Sequence, residues 1–263
     1  MSPISKRGRQ VWLGAAGFLA ATVIWQAAVA LFHPAPFILP SPAAVVRRAA
    51  GYGADWGSHL TATSVESIAG FLLAALIGIA LAVLLTLVRP LDHALSPLIT
   101  AFQIAPKVAL APLFIVWVGI GSESKILMAF LLAFFPVLVG ARAGFAATGR
   151  EYLGLARVLG MSRLQALWKI QLPASLPHIF AGVKVASTLA VIGAVVGEFV
   201  SSEKGLGYLV VIANNQLDTA LAIASILLLT AFGLALYAVV LLVEWASMPW
   251  RRAHEAAAVE GLW

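Results

Sequence analysis

Three stretches of the chain, residues 11–32, 67–88 and 219–243, are apolar and carry no charged side chain. An α-helix rises 1.5 Å per residue, so about 20 such residues cross the roughly 30 Å hydrocarbon layer of a bilayer. Within that layer each peptide N–H and C=O must find its partner inside the protein, which restricts spanning segments to helices and closed barrels. Unbroken apolar runs of this length are helical spans. The composition agrees: 62% of the residues are hydrophobic and 11% charged, against about 25% charged in soluble domains.

Three further segments complete the reading, although each carries a cation: 94–118 with Lys107, 126–147 with Arg142, and 176–197 with Lys184 and His178. The expected fold is an all-α integral membrane protein with six transmembrane helices, at about 11–32, 64–88, 94–118, 125–147, 176–198 and 219–244. They form one domain, 11–247, between a tail at 1–10 and a tail at 248–263. Lys6, Arg7 and Arg9 before the first run resemble the start of a signal peptide. The run is longer than a typical signal core, however, and His33 and Pro34 follow it rather than a cleavage site. It reads as a retained first helix, and Lys184 reads as a snorkelling side chain.

Twelve of the 17 Lys and Arg fall on one side of this arrangement, at positions 6, 7, 9, 89, 142, 150, 157, 163, 169, 184, 251 and 252. Arg47, Arg48, Lys125 and Lys204 fall on the other, and Lys107 lies within the membrane. The positive-inside bias puts the N- and C-termini in the cytoplasm. Outside, the prolines of HPAPFILPSP favour extended chain, and AAVVRRAA suits a short surface helix. Gly205 and Gly207 indicate a turn in 201–218, with Asn214, Asn215 and Gln216 as a wet lining or loop. Gly70, Ala74, Gly78 and Ala82, four residues apart, provide a small-residue face for close helix packing.

The longest cytoplasmic loop, 148–175, is basic. Residues 151–159 suit a short helix, and Gly160 sits where a helix end favours positive φ. Ser162 and Gln165 have the spacing of a capping box. Leu164, Leu167, Trp168 and Ile170 supply an apolar stripe, and Pro173 and Pro177 stop the second helix. Local physics alone also allows a basic anchor with interfacial helices.

From Ala156 the loop reads A-x3-G-x9-I-x-L-P, through Gly160, Ile170, Leu172 and Pro173. This resembles the EAA loop, E-A-A-x3-G-x9-I-x-L-P, of binding-protein-dependent ABC importer permeases. Gly154 and Leu155 stand where that pattern has Glu and the first Ala. LPSP at 39–42, IAPKVALAPLFIVWVGIGSESKI at 104–126, FFP at 134–136 and GEFVSSEKGLGYL at 197–209 resemble the nitrate/sulfonate/taurine branch. That branch includes permeases for pyrimidine precursors and riboflavin-like compounds. The resemblance implies a type I ABC importer permease fold in the bacterial plasma (inner) membrane. It also implies a second permease copy, two ATPase subunits and an extracytoplasmic solute-binding protein as partners. No cofactor is expected on this chain, since ATP and Mg belong to the ATPase. The coupling residues it implies are Glu151, Ala156, Arg157, Gly160, Ser162, Arg163, Ile170, Leu172 and Pro173. Arg157 and Arg163 then pair with acidic groups of the ATPase, or serve only as positive-inside anchors.

Other chemistry lacks its residues. There is no cysteine, no G-x4-G-K-[ST] loop for ATP, and no pair of histidines at metal-ligand spacing. No nucleophile elbow marks a catalytic residue, and the basic charge is membrane orientation rather than nucleic-acid binding. Polar groups inside spans are costly and mark pathways. Gln103, Pro106, Lys107 and Glu198 are the candidates for a substrate pathway. Lys107 either meets an anionic cargo or packs against a carbonyl, and Glu198 either serves an outer gate or reaches water. Trp117 and Trp245 read as packing or interface anchors. Cargo is a sulfonate- or nitrate-like anion or a heterocycle. An ion-coupled secondary transporter is the rival reading, though no carboxylate sits at mid-span as such coupling requires.

Overall fold

The computed structural model describes residues 3–249, apart from the side chains of 3–11, 15, 150 and 151. The described residues form helices joined by short turns: α1 Pro3–Phe32, α2 Pro42–Tyr52, α3 Asp55–Leu87, α4 Arg89–Ile104, α5 Ala111–Val118, α6 Ser122–Ala147, α7 Arg150–Val158, α8 Arg163–Ala166, α9 Leu172–Val200, α10 Leu206–Asn215 and α11 Thr219–Ser247. Five helical stretches are long and apolar enough to cross a membrane, and α4 with the helical stretch Lys107–Val118 makes a sixth if that bent pair is counted as one span.

The core is a three-helix layer in which α6 lies between α3 and α9. Met128, Ala129, Ala133, Val137, Leu138 and Ala141 of α6 are wholly buried. Lipid tails offer no hydrophobic incentive for helices to associate, so the gain comes from close van der Waals packing, which small residues permit. The predicted α3 face does this: a Cβ on Gly70 would lie 2.5 Å from the Ala129 Cβ and 2.8 Å from the Ile126 carbonyl oxygen. The contact of α6 with α9 is just as tight, since a Cβ on Gly193 of α9 would come within 2.6 Å of the Ala129 Cα. This second contact was not apparent in the α9 sequence, whose small residues are scattered among β-branched ones.

The segment 94–118 is not one straight span. The chain bends by 87° between α4 and the helical stretch Lys107–Val118, which starts with a 3-10 turn at Lys107–Leu110. Pro106 has no N–H to continue α4, and Ala105 before it is held in extended backbone at ψ 141. Residues 206–215 form helix α10, with Leu206, Leu209 and Ala213 buried, so that Gly207 of the expected turn lies within a helix, while Asn214, Asn215 and Gln216 are exposed at its end. The expected surface helix is present as α2, capped by Ser41, whose Oγ accepts from the Ala44 N–H at 3.2 Å. Asp218 caps α11 through the Leu221 N–H at 3.0 Å and pairs with Arg48 of α2 at 2.6 Å. Residues 250–263 of the expected C-terminal tail lie outside the described residues.

Candidate coupling segment, pathway bend and outer clamp

The segment 150–171 joins α6 to α9. Helix α7 ends in a Schellman motif: the Met161 N–H donates to the Ala156 carbonyl at 2.9 Å, and the Gly160 N–H to the Arg157 carbonyl at 3.0 Å. Gly160 takes φ +71 to close it, a conformation that a Cβ disfavours. The chain turns and α8 starts in a complete capping box. The Gln165 N–H donates to Ser162 Oγ at 3.2 Å, and the Ser162 N–H to Gln165 Oε1 at 2.9 Å.

The expected proline stop is absent. A π turn, Leu167–Gln171, carries α8 directly into α9, which runs through both Pro173 and Pro177. Pro173, the second residue of α9, therefore lies inside one continuous helical stretch, Arg163–Val200. The wider turn just before it absorbs the misfit, as π-bulges do. The segment is thereby continuous with a 29-residue helix of the core.

The predicted stripe splits. Leu167 is buried and Ile170 half-buried, whereas Leu164 and Trp168 are exposed. With Tyr152, Leu155, Val158 (85% exposed) and Leu159 they make an apolar surface on a segment that also exposes Arg157 and Arg163. Ala156 is buried, and the Glu151 side chain lies outside the described residues.

The other candidates divide between two places. Gln103, Pro106 and Lys107 meet at the bend after α4. Lys107 Nζ donates to the Gln103 carbonyl at 2.6 Å and lies 4.8 Å from the centre of the Phe135 ring. The carbonyl contact follows from the bend, because the missing Pro106 N–H leaves helix-end carbonyls unpaired.

Glu198 lies at the opposite end of the bundle and is 1% exposed, so it does not reach water. Its carboxyl accepts from Thr63 Oγ1 at 2.6 Å and from the Gly207 N–H at 2.5 Å. Thr63 Oγ1 in turn accepts from the Leu206 N–H at 2.8 Å, and His59 Nδ1 from the Gly205 N–H at 3.0 Å. With Nδ1 as acceptor, the neutral His59 ring carries its proton on Nε2, 3.3 Å from Tyr52 Oη. Together these bonds clamp the start of α10 to α3 and α9. Glycine is needed at 205 and 207 because the Glu198 carboxyl occupies the space where each Cβ would lie. His59 and Thr63 were not flagged from sequence. The G-L-G spacing next to a membrane-end glutamate was the available signal.

Three cations are held by partners. Lys125 is 4% exposed and donates to the Ile120 and Gly121 carbonyls at 2.8 and 3.2 Å. Lys184 pairs with Glu244 of α11 at 2.8 Å. Arg142 pairs with Asp92 of α4 at 2.5 Å and donates to Ser96 Oγ at 2.9 Å.

Comparison with known proteins agrees with this architecture. The family described as binding-protein-dependent transport system inner membrane component matches residues 60–246. The riboflavin transport system permease protein RibX of Chloroflexus aurantiacus is 40% identical over 231 residues, covering 87% of this chain and 86% of its own. The formylaminopyrimidine transport permease protein ThiX of Halalkalibacterium halodurans is 34% identical over 236 residues, covering 89% and 94%. A putative aliphatic sulfonates transport permease protein, SsuC, of Bacillus subtilis is 30% identical over 255 residues, covering 95% and 92%.

Proposed function

The chain belongs to the family of binding-protein-dependent transport system inner membrane components, the permeases of ABC importers, and is a multi-pass membrane protein. From that premise we propose that it forms the translocation pathway for a small nutrient, with residues 151–173 transmitting the work of a separate ATPase. One observation carries this reading. The segment 150–171 exposes large apolar side chains beside two arginines, and the turn between its two helices is set by a Schellman motif followed directly by a capping box. An exposed apolar patch of this kind marks a contact with a protein or a membrane. A segment meant only as a basic anchor needs neither the Schellman turn nor the capping box.

Closure of two ATPase subunits on ATP would push α7 and α8 as one body. Because α8 runs into α9, displacement at the tip becomes tilt of a core helix, the rigid-body mode by which packed bundles switch. The far end of α9 carries Glu198, so the same tilt would load the clamp on α10 at the outer mouth. The exposed side chains around the 87° bend, Gln103 and half-buried Lys107 among them, would face a second copy of the chain across the pathway.

Cargo reaches such a permease from a solute-binding protein. Relatives named for riboflavin and formylaminopyrimidine, at 40% and 34% identity, favour a heterocycle over the aliphatic sulfonate of a 30% relative. The test is affinity capture of the chain from its native membranes in mild detergent, with partners and bound small molecules identified by mass spectrometry. Recovery of an ATPase and a solute-binding protein is the expected result. A stable assembly without any ATPase, under conditions that preserve a known importer, would return the loop to an anchor.

A further inference from the structure

Two cavities meet at the corner between α3 and α4. The first, of about 510 Å³, lies between that corner and the segment 150–171, and Arg89, Arg157 and Arg163 all line it. The three arginines come from α4, α7 and α8, are exposed, and have no ion-pair partner among the described residues. The second cavity, of about 480 Å³, shares Thr86 and Arg89 with the first and runs beneath α6 along Leu85, Val139, Ala143 and Phe145. Its further cation, Arg142, is matched by Asp92 at 2.5 Å.

Arg142 is thus compensated by Asp92, whereas Arg89, Arg157 and Arg163 have no carboxylate partner among the described residues. We propose that Arg89, Arg157 and Arg163 bind the phosphate of an anionic phospholipid, with an acyl chain in the adjoining cavity. Guanidinium forks match phosphate oxygens in geometry as well as charge. Arg89 stands two residues beyond the last residue of α3, Leu87, where the apolar helix gives way to polar surface. A basic pocket between transmembrane helices at that level is the setting in which anionic headgroups are held. The apolar wall next to it is what distinguishes a lipid from a free anion. A lipid seated there would tie α7 and α8 to the α3–α4 corner and so set how freely the coupling segment moves. That consequence rests on the proposed function, whereas the binding does not.

The experiment uses the full chain purified in neutral detergent and titrated, by native mass spectrometry, with phosphatidylglycerol, phosphatidylcholine and inorganic phosphate. One phosphatidylglycerol should be retained about 100-fold more tightly than phosphatidylcholine, given roughly 1 kcal/mol for each of three basic residues at an anionic surface. Replacing Arg89, Arg157 and Arg163 together by Gln should abolish that preference, and replacing them by Lys should keep most of it. Ala143→Trp, which fills the apolar cavity, should weaken phosphatidylglycerol and leave inorganic phosphate unaffected. Equal retention of the two lipids, or a preference that survives the Gln variant, would overturn the site and leave the arginines for acidic groups of a protein partner. Inorganic phosphate binding as tightly as phosphatidylglycerol, with no effect of Ala143→Trp, would overturn the lipid assignment in favour of a free anion.

Discussion

Thr63 does two jobs with one hydroxyl, donating to Glu198 and accepting from the Leu206 N–H. Both partners are buried, so a Val of similar shape would strand a carboxyl oxygen and a backbone donor together. A buried polar group left without its partner costs about 1–3 kcal/mol. Thr63→Val should therefore lower the thermal midpoint of the detergent-purified protein by several degrees, while Thr63→Ser should stay near the parent. An unchanged midpoint in the Val variant would mean that the clamp does not hold this end of the bundle together. At this scale the sequence was only partly legible. Glu198 stood out because charge at a span end is costly, but Thr63 and His59 look like any polar residues at the start of a helix. Only the fold brings positions 59, 63, 198 and 205–207 to one point. The same holds for Lys184, since its partner Glu244 is 60 residues away on another span.

At the scale of elements, local rules were legible where local bonds decide. Gly160, Ser162 and Gln165 form the turn and capping box that their spacing requires. The proline rule failed at Pro173, because a π turn accommodates it and the packed face of α9 outweighs the local penalty. The bend at Pro106 shows the opposite outcome. There the neighbouring stretch has no buried residue to hold the chain straight, and α4 has none at all. The positive φ at Gly160 makes a graded prediction. Gly160→Ala should cost about 1 kcal/mol in stability and leave transport largely intact. Gly160→Pro, whose ring fixes φ near −65°, should break the turn between α7 and α8. Reconstituted with its partners, that variant should hydrolyse ATP without driving uptake, although it inserts normally. Normal coupled uptake would show that the turn is not a mechanical element.

The whole molecule has two working ends joined by a core that is unusually rich in small residues. At one end, α7 and α8 expose apolar side chains and two arginines; at the other, the Glu198 clamp holds α10. Helix α9 belongs to both, and its tight contact with α6 leaves little room for bending without a change in tilt. Apart from 94–118, which is bent, the spans were readable from apolar run length, because the bilayer imposes a single dimension on each of them. Their order of packing was not, because a run of Gly and Ala permits contact on any side. The central claim is that 151–173 is the point at which a separate ATPase acts. The direct measurement places a photo-crosslinking residue at Leu164, which is 54% exposed on α8, in cells carrying the intact transporter, and identifies the adduct by mass spectrometry. The account predicts a single dominant adduct with an ATPase subunit, whose yield changes when ATP is trapped. Adducts confined to lipid, with no ATPase among them, would contradict it.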